Sequence, residues 1–213
     1  MIYIVSGVGA RCGSTMVMKA LKAGGMKVAY DNRRENDLEF PLSVQWSSNF
    51  PPLDFDGHAV KIFPPPWGGL LKLPASSGGY KICWVDRPAD ERWDSFLRLQ
   101  NKLWKFKNLT EMHQEIKKSG MDFDYFDHRA LEAMLIMEQR RDVKSIVKLR
   151  YNFILDHALE AFEMLRAEEW PVQPIMAAAV PDKRKKGTGS MGGNQGQFSP
   201  QEVAFAQRLK GRQ

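Results

Sequence analysis

The sequence predicts an α/β fold of three layers, αβα, around a mostly parallel central sheet. Three observations carry this expectation. Apolar, β-rich runs at 2–6, 58–63 and 80–87 alternate with stretches of helical periodicity, the pattern of strands joined by crossover helices. The first and third runs are apolar almost throughout, as strands buried on both faces are. With 213 residues, 43% of them hydrophobic and 26% charged, the chain can bury the core of one such domain.

Taken in order, "IYIVS" (2–6) reads as a short buried strand that ends at Gly7. From Ser14 to Ala23, Met16, Val17, Ala20 and Leu21 recur at helical spacing, and Gly24-Gly25 stop the helix. Lys27–Tyr30 can form a second short strand, and 31–53 carries mostly loop signals. "HAVKIF" (58–63) is strand-like and is stopped by Pro64–Pro66. "YKICWVDR" (80–87) is the clearest strand, and Pro88 opens a helix expected over 89–105. Helical patterns follow at 110–118 and 128–142, then a strand at 145–152 and an amphipathic helix at 153–167. The expected organisation is an α/β domain over 1–181, a basic, Gly-rich flexible segment over 182–198, and a C-terminal helix over 199–213 capped by Ser199.

No run approaches the roughly 20 apolar residues of a membrane helix, and strand-like sequence begins at Ile2 where a signal peptide would carry its basic region. A cytoplasmic protein without a membrane partner is expected. Cys12 in the glycine loop and Cys83 inside a strand fit reduced thiols. The net charge of +6 is concentrated near the C-terminus, in "DKRKKG" and "RLKGR". Without zinc-finger spacing or aromatic-basic alternation, this charge reads as a solvated tail and argues against a nucleic-acid partner.

The chemistry is concentrated in "VSGVGARCGSTMVMKAL" (5–21). Strand, glycine loop and helix start follow one another as in a phosphate-binding loop. The lysine that reaches a γ-phosphate is replaced by Gly13, directly before Ser14-Thr15. Amides at a helix N-terminus, two hydroxyls and Arg11 remain, a set able to hold a 5′-phosphate with an attached anionic group.

With "MKALKAGG" behind it, this loop resembles the 5′-phosphosulfate loop of the sulfotransferase family, bacterial members above all, in a P-loop NTPase-like fold. Arg11, Gly13, Ser14 and Thr15 fall on matching positions; Cys12 stands where the family usually has serine. "VDRPADERWDSF" is similar to the family's 3′-phosphate motif, with Arg87 and Ser95 eight residues apart. "AVKIF" resembles the strand with the family lysine, Lys61, but Phe63 stands where well-known members carry a catalytic histidine. "VKLRYNFILDHALEAFEML" resembles the late strand and helix.

The resemblance implies 3′-phosphoadenosine 5′-phosphosulfate as donor, no metal requirement, and a small-molecule or glycan acceptor presenting a hydroxyl or amine. It implies that Arg11, Cys12, Gly13, Ser14 and Thr15 bind the 5′ end, that Arg87 and Ser95 grip the 3′-phosphate, and that Arg11 and Lys61 stabilise charge on the departing oxygen. Asp31, Glu35 and Glu39 are the candidate bases, with Glu39 preferred. A non-catalytic nucleotide-binding or interaction protein and an atypical kinase or NTPase are the alternatives. Glu39→Gln is expected to abolish transfer while leaving donor binding intact; unchanged turnover would remove Glu39 from the site.

Overall fold

The computed structural model describes residues 1–8, 11–29, 55–64, 70, 73, 75–92, 94–95 and 123–187, with the side chains of 123–126 and 182–187 left aside. The elements are β1 (Ile2–Gly7), α1 (Ser14–Ala23), β2 (Lys27–Val28), β3 (His58–Lys61), β4 (Tyr80–Asp86), α2 (Phe123–Glu138), β5 (Val143–Arg150), α3 (Tyr151–Asp156), α4 (Ala158–Ala167) and α5 (Pro174–Gly187). Residues 89–92 and 94–95 are also helical. The expected helix at 110–118, the C-terminal helix and Glu39 lie outside the described residues.

The strands form one all-parallel sheet in the order β2-β3-β1-β4-β5. A parallel sheet needs crossover connections, and right-handed crossovers running in opposite directions from β1 and β4 place helices on both faces, consistent with three layers. The burial agrees: Ile2, Ile4 and Val5 of β1 and Ile82, Cys83, Trp84 and Val85 of β4 are all buried. Close approaches at Gly7 and Gly24 require glycine. A Cβ on Gly7 would run into the Val85 carbonyl and lie 2.8 Å from Cys12 Sγ. Gly24 lets α5 approach the end of α1, where Gln173 N donates to Gly24 O at 2.8 Å and Val172 and Ala177 pack on the glycine.

Several boundaries differ from the sequence expectation: α2 spans 123–138 rather than 128–142, and β5 begins at Val143 rather than 145. β5 ends at Arg150, so Tyr151 and Asn152 belong to α3 rather than to the strand. The single helix expected over 153–167 is two, broken at His157 (φ −134°, ψ 52°). The bend allows Phe153 and Ile154 on one side and Ala161, Phe162 and Leu165 on the other all to face the core. α5 continues through 182–187, across the start of the segment that the sequence assigns to a flexible tail.

Two polar clamps hold the N-terminal edge of the sheet. Buried Lys81 donates to the Glu168 carbonyl at 2.6 Å and to Glu169 Oε2 at 2.7 Å, tying the turn after α4 to β4. Trp170 beyond that turn packs on Tyr3, with ring centroids 5.0 Å apart. On the other side, Asp56 receives the Met1 amino group at 2.8 Å and the hydroxyls of Ser76 and Ser77. These donors hold its carboxyl far below the usual aspartate range, the amino group contributing most.

Lys81→Ala should cost roughly 1–3 kcal/mol in chemical denaturation, because it strands a helix-end carbonyl and removes a buried aliphatic stem. Glu169→Gln should leave the midpoint unchanged, since that carboxylate lies in solvent. The depressed Asp56 value means that its contribution is present at neutral pH and is lost as pH falls below ~3.9, the unfolded value. Asp56→Asn should therefore flatten the acid limb of the stability profile, and an unaltered limb would show that the clamp does not set it.

Candidate functional site

The strand order reverses about β1: the chain leaves β1 through α1 to reach β2 beyond β3, and later returns to β4 on the other side. The crevice beyond the C-terminal ends of β1 and β4 is a topological switch point, where open α/β sheets bind ligands. The described site residues identified from the sequence cluster at this edge. Arg11 to Thr15 follow β1, Lys61 closes β3, and Arg87 follows β4 with Ser95 on the helical stretch behind it.

The loop enters α1 through Gly13, whose φ of +108° and ψ of 1° suit only glycine without strain. Its carbonyl accepts from Met16 N at 2.9 Å and from Val17 N at 3.2 Å, which starts the helix. No side chain among the described residues caps α1, so the positive end of the helix faces the crevice without a local counter-oxygen. Arg11 also has a positive φ, 68°, unusual for a residue with a side chain; of order 1–3 kcal/mol of backbone strain is held there, at the turn that aims its guanidinium.

That guanidinium crosses the crevice. Arg11 Nε donates to Ser95 Oγ at 3.1 Å, and the Arg11 carbonyl accepts from an Arg87 NH group at 3.3 Å. The cation expected at the 5′ end is thus joined to both residues expected at the 3′ end. On the far side, Lys61 Nζ donates to Thr15 Oγ1 at 2.8 Å and sits 4.8 Å from the centre of the Phe63 ring. Phe63 therefore carries the ammonium near its ring face. Ser14 and Lys61 are both buried, while Arg11, Gly13 and Thr15 are half-buried.

Cys12 is fully buried beneath Gly7, a packing position. Burial pushes the Cys83 thiol up, and Cys12 nearby adds to the shift, so Cys83 is a poor nucleophile.

Three neighbours were not singled out from the sequence. Tyr151, the first residue of α3, lies against Gly13 and carries the Arg87 guanidinium 4.2 Å above its ring. Glu91 accepts from Arg87 Nε at 3.1 Å and from Asn152 Nδ2 at 2.9 Å. Arg92 is buried to 2% exposure among polar partners from three segments. A signal existed for two of them: 87, 91 and 92 share a helix start, where i and i+4 side chains meet. Tyr151 lacked one, because the strand pattern runs through it.

Compared with protein-family models, with curated proteins and with solved structures, the chain matches none.

Gly13→Ala is expected to cost about 1–3 kcal/mol of stability and to remove anion binding, since its Cβ would need both a left-handed backbone and the space of the Tyr151 ring. Anion titration of the folded variant checks this, and retained affinity would place the anion elsewhere.

Proposed function

We propose that the chain is a sulfotransferase that takes 3′-phosphoadenosine 5′-phosphosulfate as donor and passes its sulfuryl group to a hydroxyl or amine of a small-molecule or glycan acceptor. The observation that carries this reading is the Arg11–Ser95 hydrogen bond with the Arg87 contact beside it. Two motifs 76 to 84 residues apart in sequence converge in one crevice, as a ligand bearing phosphate at both ends of a nucleoside requires.

The residues suit such a donor. Gly13 lets the Tyr151 ring pack against the start of α1, and no side chain among the described residues caps that helix end, so the backbone amides suit a 5′-phosphate. Arg87 brings a planar fork, held from behind by the Tyr151 ring, suited to a second phosphate. The bound donor supplies an activated sulfuryl group whose transfer leaves negative charge on an oxygen of the 5′-phosphate. Arg11 and Lys61 flank that end of the crevice and would neutralise the developing charge, the usual largest contribution in transfer of this kind. With Phe63 in the histidine position, proton removal from the acceptor falls to an acidic group, Glu39 by the sequence reading.

A kinase or NTPase is the second reading, since Lys61 brings an ammonium to the helix mouth from the neighbouring strand. The same contact weighs against it. With Gly13 in the lysine position, the hydroxyl that would bind Mg²⁺ in an NTPase is that of Ser14, and the Lys61 ammonium held on the adjacent Thr15 would repel the metal there. A non-catalytic nucleotide-binding protein would retain the same cradle without turnover.

Calorimetric titration with adenosine 3′,5′-bisphosphate and with ATP–Mg²⁺ separates these readings. Wild type should prefer the bisphosphate, and Arg87→Ala should lose at least about tenfold of that affinity, the order expected for one charged hydrogen-bonding group. Preference for ATP–Mg²⁺ would favour the kinase reading, and binding of neither would end both nucleotide readings.

A further inference from the structure

Arg92 offers the clearest unexplained investment in the molecule. Its guanidinium is almost wholly buried, yet lies behind the crevice rather than in it. Nε donates to the Arg87 carbonyl at 2.9 Å, one terminal NH group donates to the Val8 carbonyl at 2.8 Å, and the other pairs with Asp127 of α2. These acceptors come from the exit of β1 where the loop begins, the exit of β4 where the helical stretch begins, and a helix more than thirty residues later in the chain. A planar fork whose sides are each engaged by a different segment fixes distance and angle between them, which a point charge on a flexible stem cannot do.

We infer that Arg92 is the positioning residue that sets the separation between the 5′-phosphate loop and Arg87, and so the selectivity for a nucleotide phosphorylated at both the 5′ and 3′ positions. This rests on the donor reading above. Arg92 touches no ligand position; it acts through the Val8 and Arg87 backbone. A purely structural arginine would affect folding alone, whereas a spacer governs ligands that span the crevice more than ligands that use one end. Displacements near 1 Å in such sites cost up to about a hundredfold in function. Asp127 completes the device by anchoring the guanidinium from the α2 side, and its second oxygen is buried without a hydrogen-bond partner among the described residues.

The test measures dissociation constants for adenosine 3′,5′-bisphosphate and for AMP, with melting temperature beside them, on the full chain. Arg92→Lys keeps the charge but cannot span the three acceptors, and the preference for bisphosphate over AMP should fall by about tenfold or more. In an Arg87→Ala background, Arg92→Lys should produce no further loss of preference, because the two act on one contact. Asp127→Asn, which keeps a hydrogen-bond acceptor, should lower the preference severalfold and gives the same readout if Arg92→Lys does not fold. A lowered melting temperature with the preference within twofold of wild type would overturn the inference while leaving the donor reading intact. Absence of any preference in wild type would overturn both.

Discussion

The parallel pairing of β1 with β4 is the constraint on which the site depends. It runs in register from Ile2 opposite Tyr80 to Gly7 opposite Val85, so both strands end at the same level and release their chains side by side. The loop after β1 and the helical stretch after β4 then start about one inter-strand spacing apart, roughly 5 Å. Gly7 makes this tolerable at the last pair: with any side chain there, the Val85 carbonyl and the Cys12 sulfur could not both keep their places. From that alignment follow the Arg11–Ser95 bond, the reach of Arg87 to the loop backbone and the position of Arg92 between the two exits.

The electrostatics of the crevice follow from the same arrangement. Arg11, Lys61 and Arg87 approach from three different strand exits, so their charges converge without belonging to one basic run of sequence. Arg11 donates to a hydroxyl, Lys61 to a hydroxyl while lying near an aromatic face, and Arg87 lies on an aromatic face and pairs with one carboxylate. On the proposed function, an anion entering here would meet preorganised donors, which is where such sites gain most of their effect. The N-terminal edge of the sheet is built differently. There Lys81 and Asp56 are tied by direct hydrogen bonds to main chain and side chains, which suits a clamp rather than a ligand site.

Much of this was legible in the sequence because it depends on local signals. The loop between β1 and α1 is marked by glycines, and α1 runs from Ser14 to Ala23 as its periodicity and the Gly24-Gly25 stop require. The strands at 58–61 and 80–86 lie within their apolar runs, shortened at the ends where pairing stops. What escaped depends on contacts between distant segments. Tyr151 follows an unbroken strand pattern, and only its packing against Gly13 makes it the first residue of a helix and a support for Arg87. Arg92 reads as an ordinary charged residue of a helix start, and its burial is set by the Val8 carbonyl and by Asp127, far away in the chain. The break at His157 is likewise decided by which faces must reach the core, a property of the sheet beneath rather than of the helix itself.

The proposed function requires one crevice to hold both phosphates of a single nucleotide. A crystal structure of the complex with adenosine 3′,5′-bisphosphate tests it most directly. The expected complex has the 5′-phosphate on the backbone amides that open α1, beside Thr15 and Lys61, with the 3′-phosphate on Arg87 and Ser95. A nucleotide bound with its 5′-phosphate away from the start of α1, or with Arg87 still committed to Glu91 and touching no phosphate, would contradict it.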